Sequence, residues 1–417
     1  GPSTCTMRRV AIVSACRTAV GAFGGSLKSL RAPELAALVM RGALDRTKEF
    51  DHTEIGDIRF GNCMEDVDAL NTSRVGQLLA GIPNTVPAVT INRVCTSAME
   101  ATVSGALLIR AGETDTVLVG GVEAMSNAPY LLPDARWGAR LQDSKMVDSI
   151  MHALHAGSHF VKYPADGPIE WARNKPYIMG ITAEFLAQKY KISREEQDEV
   201  ALRSHNNVER ATKEGVFKRE ILPVALKQKK GDPIMFEADE HFRPGMKMAD
   251  LTKLPPTFIP KTGTVTAGNS SGINDGGCAM VLMEYEKAKA TGQKIMGVIN
   301  GWGIHGCNAE LMGEGPVGAV QNLMARTGRK HANEYDLVEI NEAFASQYIS
   351  VEKGLELKRE KCNVNGSGIG MGHPVGSTGA RIIVSLLHEL ERQDKSLGMA
   401  TLCGGGGVAM AIEVERV

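Results

Sequence analysis

The chain runs through the same order of elements twice. Residues 8–15 (RRVAIVSA) read as a buried strand, and Pro33 to Leu44 as a helix with proline in its first turn and apolar residues at helical spacing. Asp57 to Phe60 is a short strand, Asn71 to Ala80 a helix and Ala88 to Ile91 another strand. Cys95 follows at once, then a helix from Thr96 to Ala111 closed by Gly112, then a strand from Thr116 to Val119. The second half repeats this succession. Ile295 to Ile304 is strand-like, Pro316 to Thr327 helical, Leu337 to Ile340 a strand, Ala343 to Leu357 a helix and Cys362 to Val364 a short strand. His373 stands where Cys95 stood. The helix Ser377 to Leu390 follows it, with Ile382, Ile383, Leu386, Leu387 and Leu390 on one face, and Gly398 to Cys403 is the matching strand. Residue identity between the halves is slight, so the correspondence rests on order. Right-handed crossovers with helices on both faces predict a mostly parallel, layered sheet in each half. Packing of the halves about a pseudo-twofold axis would bring Cys95 and His373 together at facing helix N-termini.

Between the halves lies an excursion of different character, from about Met125 to Gly272. It carries Trp137, Tyr163, Trp171 and Tyr177 and two basic clusters, Lys227 to Lys230 and Arg243 to Lys253, and shows no sheet layer. Ser193-Arg-Glu-Glu196 matches a capping box opening a helix from Glu195 to Glu214. This segment is expected to form a lid-like insertion over a pocket, where loop residues tend to carry binding.

The chemistry concentrates where backbone is too rich in glycine for ordinary packing. Asn365-Gly-Ser-Gly-Ile-Gly-Met-Gly-His373-Pro and Leu402-Cys403-Gly-Gly-Gly-Gly407 place a histidine and a thiol in main chain that can approach a ligand closely. Neither a dinucleotide fingerprint nor a phosphate loop can be aligned there. Cys95 at a helix N-terminus is expected to have a lowered pKa and to act as a nucleophile, with His373 as its base. Cys403 is a second thiol suited to a carbon acid. Asn341, just past a strand, is placed to hold a water or donate to an oxyanion.

Composition excludes several classes of partner. The 417 residues carry a net charge of -1, which favours neither nucleic acid nor a membrane surface. No apolar run is long enough to span a bilayer, no signal pattern opens the chain, and a cytoplasmic location is expected. Gly1-Pro2-Ser3 looks like a scar left by tag removal. The eight cysteines, at 5, 16, 63, 95, 278, 307, 362 and 403, form no C-x-x-C pair and are expected as free thiols. His152, His155 and His159 have a spacing that would share a helix face, but no acidic or cysteine ligand is spaced with them and no metal is expected.

These residues resemble one family over nearly the whole length, the thiolases, acyltransferases of the acetoacetyl-CoA and 3-ketoacyl-CoA kind. The resemblance rests on Val94-Cys95-Thr-Ser, Gly120-Gly-Val-Glu-Ala-Met-Ser126, Met179-Gly-Ile-Thr182 and Thr264-Val-Thr-Ala-Gly-Asn-Ser-Ser-Gly-Ile-Asn-Asp-Gly276. It rests equally on Met312-Gly-Glu-Gly-Pro316, Asn341-Glu-Ala-Phe344, Gly372-His-Pro374 and Cys403-Gly-Gly-Gly406. It implies the thiolase fold: two similar β-α halves in a layered α-β-α-β-α arrangement with an inserted loop domain, assembled as a homodimer or homotetramer. Residues 1–124 with 273–294 would form the first half, 125–272 a CoA-binding insertion and 295–417 the second half.

By the same resemblance, Cys95 is acylated, His373 activates Cys95 and the thiol of CoA, and Cys403 moves the proton on the alpha carbon of acetyl-CoA. A water on Asn341 forms one oxyanion site with His373; the backbone N–H groups of Cys95 and Gly405 form the other. Ser271 touches the pantetheine arm, Met179 and Phe258 line its tunnel, Ala343 and Phe344 add to the CoA site, and Arg243 lies beside the adenine. CoA enters as a substrate, and no bound cofactor is implied. Three departures bear on acyl-chain preference: Thr96-Ser97-Ala98 where Gly-Ser-Gly is usual, Ile178 where acetoacetyl-specific members often carry His, and Glu314 where an apolar residue is usual. The rival readings are a decarboxylating condensing enzyme on the same fold, and a non-catalytic acyl-CoA carrier.

Overall fold

The computed structural model describes residues 7–417; Gly1-Pro2-Ser3 and Cys5 lie outside the described residues. The first half comprises β1 (Val10–Thr18), α1 (Ala32–Asp45), β2 (Asp57–Gly61), α2 (Thr72–Leu79), β3 (Ala88–Ile91), α3 (Ser97–Ala111) and β4 (Thr116–Ala124). After α4 (Met179–Lys189) and α5 (Arg194–Lys213) of the insertion comes β5 (Asn274–Glu284). The second half comprises β6 (Gly297–Gly306), α6 (Gly315–Thr327), β7 (Leu337–Ile340), α7 (Ala345–Gly354), the short α8 (Gly368–Met371), α9 (Val375–Arg392), β8 (Leu397–Gly404) and β9 (Val408–Glu415).

The strands form one continuous sheet in the order β3-β2-β4-β5-β1-β6-β9-β8-β7. Its two halves mirror one another about the β1–β6 junction, where Val10 to Ile12 pair with Ile299 to Gly297. The sheet is mixed, which corrects the expectation of mostly parallel halves. β2 runs parallel to β3 and β4, and β7 parallel to β8, whereas β5 and β9 run antiparallel to both of their neighbours. The reason is chain connectivity. β9 returns from β8 through a three-glycine turn, Gly405 to Gly407, with φ near +85° at its last two residues, and a hairpin can only join antiparallel strands.

Strand alternation builds the layers. On β5, Met280 and Leu282 face a central core while Ala279, Val281 and Met283 face an outer one. On β9, Met410 and Ile412 face the same central core, and Ala409 and Ala411 the opposite outer one. The central core holds Met99, Val103 and Ile109 of α3 with Ile382, Ile383, Leu386 and Leu387 of α9, so both helices lie between the half-sheets. α1 covers one outer face, and α6 with α7 the other. These are the five layers that the resemblance implied.

The expected strand Cys362 to Val364 reduces to a single bridge between Val338 and Cys362. Asn363 adopts φ +46°, and its side-chain amide accepts from Ile340 N at 2.8 Å and donates to Ile340 O at 2.8 Å. A side chain thus supplies the pairing that a strand would. Within the insertion the capping box forms, with Glu196 N donating to Ser193 Oγ at 3.1 Å and Ser193 N to Glu196 Oε2 at 2.8 Å. Two short ladders, 130–131 with 147–148 and 224–226 with 234–236, stand in place of a sheet layer. No helix among the described residues is long and apolar enough to cross a membrane.

The N-terminal turns of α3 and α9 touch because side chains are missing there. A Cβ on Gly121 would stand 2.2 Å from Gly376 O and 2.6 Å from Ala98 Cβ, and one on Gly379 would stand 2.6 Å from Met99 N. Gly121→Ala is therefore expected to destabilise the fold by about 1–3 kcal/mol, read as a lower urea midpoint, and to cost more turnover than stability because the two helices part. An unchanged midpoint and rate would show that the contact has slack.

Candidate active site

Cys95 stands between β3 and α3 in a strained turn. Val94, a β-branched residue, takes φ +50°, and Ser97 N closes the turn by donating to Val94 O at 3.0 Å. α3 begins at Ser97, so Cys95 sits two residues ahead of the helix rather than in its first turn. This overturns the expectation of a lowered pKa. Burial pushes the thiol up to about 11; the backbone N–H groups of Gly405 and of Cys95 itself pull the other way and do not prevail, and Glu123 adds to the rise. Cys95 therefore rests as a thiol at neutral pH.

His373 is held from three sides. Gly372 takes φ +109°, a turn that an L side chain would strain, and His373 N donates to Asn274 Oδ1 at 2.9 Å. Its Nδ1 lies 2.6 Å from Thr378 Oγ1, and that hydroxyl gives its own hydrogen to Pro374 O at 3.0 Å. Nδ1 must then carry the ring proton, which leaves Nε2 as the acceptor. Nε2 is buried without a protein partner among the described residues. Burial first, and Arg381 second, push the imidazole down to about 3, so it is a neutral base throughout the physiological range.

Cys403 is next to last on β8, buried, and its thiol is pushed well up by burial and by Cys95 and Cys307. A cavity of about 690 Å³ is lined by Cys95, His373 and Cys403 together with Ser271, Met179, Phe258, Ala343 and Phe344. Eight of the residues singled out in the sequence thus meet at one place. Three do not line it. The Gly405 amide favours the Cys95 thiolate, and a Cβ on Gly405 would lie 2.7 Å from Ala156 Cβ and 3.1 Å from Met179 Sδ. Asn341 is fully buried with neither Nδ2 nor Oδ1 partnered among the described residues, a side chain suited to a water. Arg243 is exposed and does not line the cavity, and its backbone N–H donates to His205 Nδ1 at 3.2 Å.

The rest of the wall is mostly apolar, including Met125, Leu154, Ile178, Ile181 and Met312, with His155, Thr257, Thr266 and Ser270 as its polar members. Gly180 allows the approach of Phe258, whose ring would lie 2.1 Å from a Cβ there. Glu314 does not face the cavity: it accepts from Lys189 Nζ at 2.7 Å and Tyr190 Oη at 2.5 Å, so this departure bears on the packing of the insertion and not on the acyl group. His152, His155 and His159 stack at 4.4–4.9 Å between ring centroids, but the helix there ends at Ala153, and no metal-binding cluster occurs among the described residues. The cysteines from Cys16 to Cys403 are free thiols.

Sequence reasoning missed the supports of the site. Thr378 fixes the tautomer of His373, and Asn274 fixes its backbone. Ser204 accepts from Ser367 N and Gly370 N and donates to Glu342, which also accepts from Ile369 N, and so braces the turn ahead of His373. The one available signal was position, since Thr378 lies five residues past His373 within the same glycine-rich run.

The depressed imidazole has a consequence for stability. Between pH 6.5 and about 3 the unfolded chain binds a proton at His373 that the folded chain refuses, so stability falls as pH falls through that window. His373→Gln removes this component. From pH 6 to 4 the unmodified protein is expected to lose about 1.4 kcal/mol more per pH unit than the variant, measured by urea unfolding. Parallel stability profiles would contradict a buried neutral ring.

Comparison with known proteins identifies the family. The model of the thiolase N-terminal domain matches residues 10–286 and that of the thiolase C-terminal domain residues 293–416. A beta-ketothiolase of Cupriavidus necator is 43% identical over 411 residues, covering 98% of this chain and 100% of that protein. The crystal structure of the Bacillus anthracis acetyl-CoA acetyltransferase is similar with a TM-score of 0.91 and 42% identity over 99% of each chain. Human mitochondrial 3-ketoacyl-CoA thiolase in complex with CoA gives 0.90 and 38%, over 99% of this chain and 98% of that one. With both domain models matched in order along almost its entire length, the chain belongs to the thiolase family.

Proposed function

We propose that this thiolase works by ping-pong acyl transfer through a thioester on Cys95, cleaving a 3-ketoacyl-CoA with CoA or condensing two acyl-CoA molecules in reverse. What carries the reading is the convergence of two thiols and an acceptor Nε2 on one mostly apolar cavity. In the cleaving direction His373 Nε2 takes the Cys95 proton as sulfur adds to the C3 carbonyl. The amides of Cys95 and Gly405 receive the oxyanion. The C2–C3 bond then breaks, and its electron pair becomes the enolate of acetyl-CoA, held by His373 and a water on Asn341. Cys403 protonates C2. The proton on His373 passes to the Cys403 thiolate, which restores both groups. His373 next deprotonates the thiol of CoA, CoA sulfur takes the acyl group, and Cys95 leaves as thiolate and recovers that proton.

CoA and acyl-CoA are substrates in this scheme. We assign their binding to residues 125–272, with Ser271, Met179 and Phe258 along the pantetheine arm and Arg243 at its outer end. The open edge of β3 supports a homodimer or homotetramer, since Val89 and the nearby Leu70, Leu78 and Leu79 are exposed there. Ile178 on the apolar wall supports acyl chains longer than four carbons.

Two experiments test these roles. Incubated with acetyl-CoA, Cys403→Ser should still place an acetyl mass on the peptide holding Cys95 and exchange CoA, while carbon–carbon cleavage drops by roughly 10²- to 10⁴-fold; Cys95→Ser should lose both reactions. Cleavage by Cys403→Ser at full rate would remove Cys403 from the proton path, and a wild-type protein that never becomes acylated would favour a carrier. Second, turnover is expected to be faster with a longer 3-ketoacyl-CoA than with acetoacetyl-CoA, and Ile178→His should shift the ratio toward acetoacetyl-CoA. Strict four-carbon activity in the unmodified protein would refute the role given to Ile178.

A further inference from the structure

One buried carboxylate lies outside the mechanism yet touches both halves of the site. Glu123, next to last on β4, is 0% exposed. Its oxygens accept four N–H groups: Asn62 Nδ2 at 2.6 Å, Met64 N at 2.9 Å, Cys63 N at 3.1 Å and Gly376 N at 2.7 Å. Three belong to the loop after β2, in the first half. The fourth belongs to the first turn of α9, in the second.

We propose that Glu123 is a positioning residue that sets His373 against Cys95 by tying the N-terminus of α9 to the loop beside the Cys95 turn. The first turn of α9 contains no acidic residue, although a helix start there leaves amides and the positive end of the dipole inside the protein. Glu123 supplies the missing anion from another strand. Its other ligands reach the nucleophile: Cys63, whose amide it holds, donates its thiol to Val94 O at 3.0 Å, one residue before Cys95. On the α9 side, Gly376 lies between His373 and Thr378, so a displaced first turn moves the ring and its tautomer partner together. Room for adjustment is small. A Cβ on Gly376 would lie 2.7 Å from the Glu123 carboxylate and 2.8 Å from Asn62 Cα.

No cation balances this carboxylate among the described residues; burial pushes its pKa up to about 7, against the pull of its amide donors. Its negative charge also raises the Cys95 thiol. Geometry and charge therefore act on the reaction with opposite signs, and one set of variants separates them. Glu123→Gln keeps the size but presents an NH₂ to two of the four donors, so a pair of contacts must open. Glu123→Asp keeps the charge and gives up the reach.

The inference rests on His373 as the base, and the experiment is a double-mutant cycle on the acylation of Cys95 by acetyl-CoA, followed by mass in single turnovers. Glu123→Gln and Glu123→Asp are each expected to slow acylation about 10²-fold with KM for acetyl-CoA within about twofold of the unmodified value, and neither is expected to slow His373→Ala further. In Glu123→Gln alone, the pH profile of Cys95 alkylation by iodoacetamide should move to lower pH, because the opposing charge is gone. If His373→Ala acylates at the unmodified rate, the base assignment fails. If His373→Ala is slow while both folded Glu123 variants acylate normally, or if they slow the His373→Ala background as much as the unmodified protein, the positioning role is overturned and the base assignment stands. Should Glu123→Gln not fold, Glu123→Asp carries the same expectation for the cycle.

Discussion

The structure depends on how closely two helix N-termini approach one another. α3 carries the Cys95 turn and α9 follows His373, and they meet where positions 121, 376 and 379 have no side chain. Any Cβ there would fall within 2.2–2.7 Å of the opposing chain or of the carboxylate between them, a distance that no rotamer change relieves. The rest of the architecture holds this contact in place. The half-sheets join at β1 and β6 and enclose both helices, so each helix is packed by strands of both halves and neither can slide without opening the central core.

Burial then decides the resting state of the site. Cys95 and Cys403 are pushed up and His373 is pushed down, all chiefly by loss of water, so the two thiols and the imidazole that line the cavity are neutral at rest. A neutral thiol and a neutral base avoid the cost of a buried ion pair. In the proposed reaction charge develops only as bonds change, and the amides of Cys95 and Gly405 are the donors assigned to meet it.

The insertion completes the site through contacts with the scaffold. Ala156 and Met179 pack on Gly405, and Ser204 braces Glu342 and the turn before His373. Glu314 reaches back from the second half to Lys189 and Tyr190. A segment with little regular sheet of its own is thus fastened at several points to the elements that line the cavity.

Much of this was legible in the sequence. The repeated order of strands and helices placed Cys95 and His373 at equivalent positions, and glycine runs marked where main chain must come close, because strand alternation, helical spacing and missing side chains are properties of neighbouring residues. What tertiary structure alone decided depends on partners far apart in the chain. The antiparallel course of β5 and β9, the replacement of a strand by the side chain of Asn363, the rise of the Cys95 thiol, and the convergence of residues 62–64 and 376 on Glu123 all turn on what lies across the core. Local pattern carries no information about desolvation or about a hydrogen bond spanning 253 positions, as the one from Gly376 to Glu123 does.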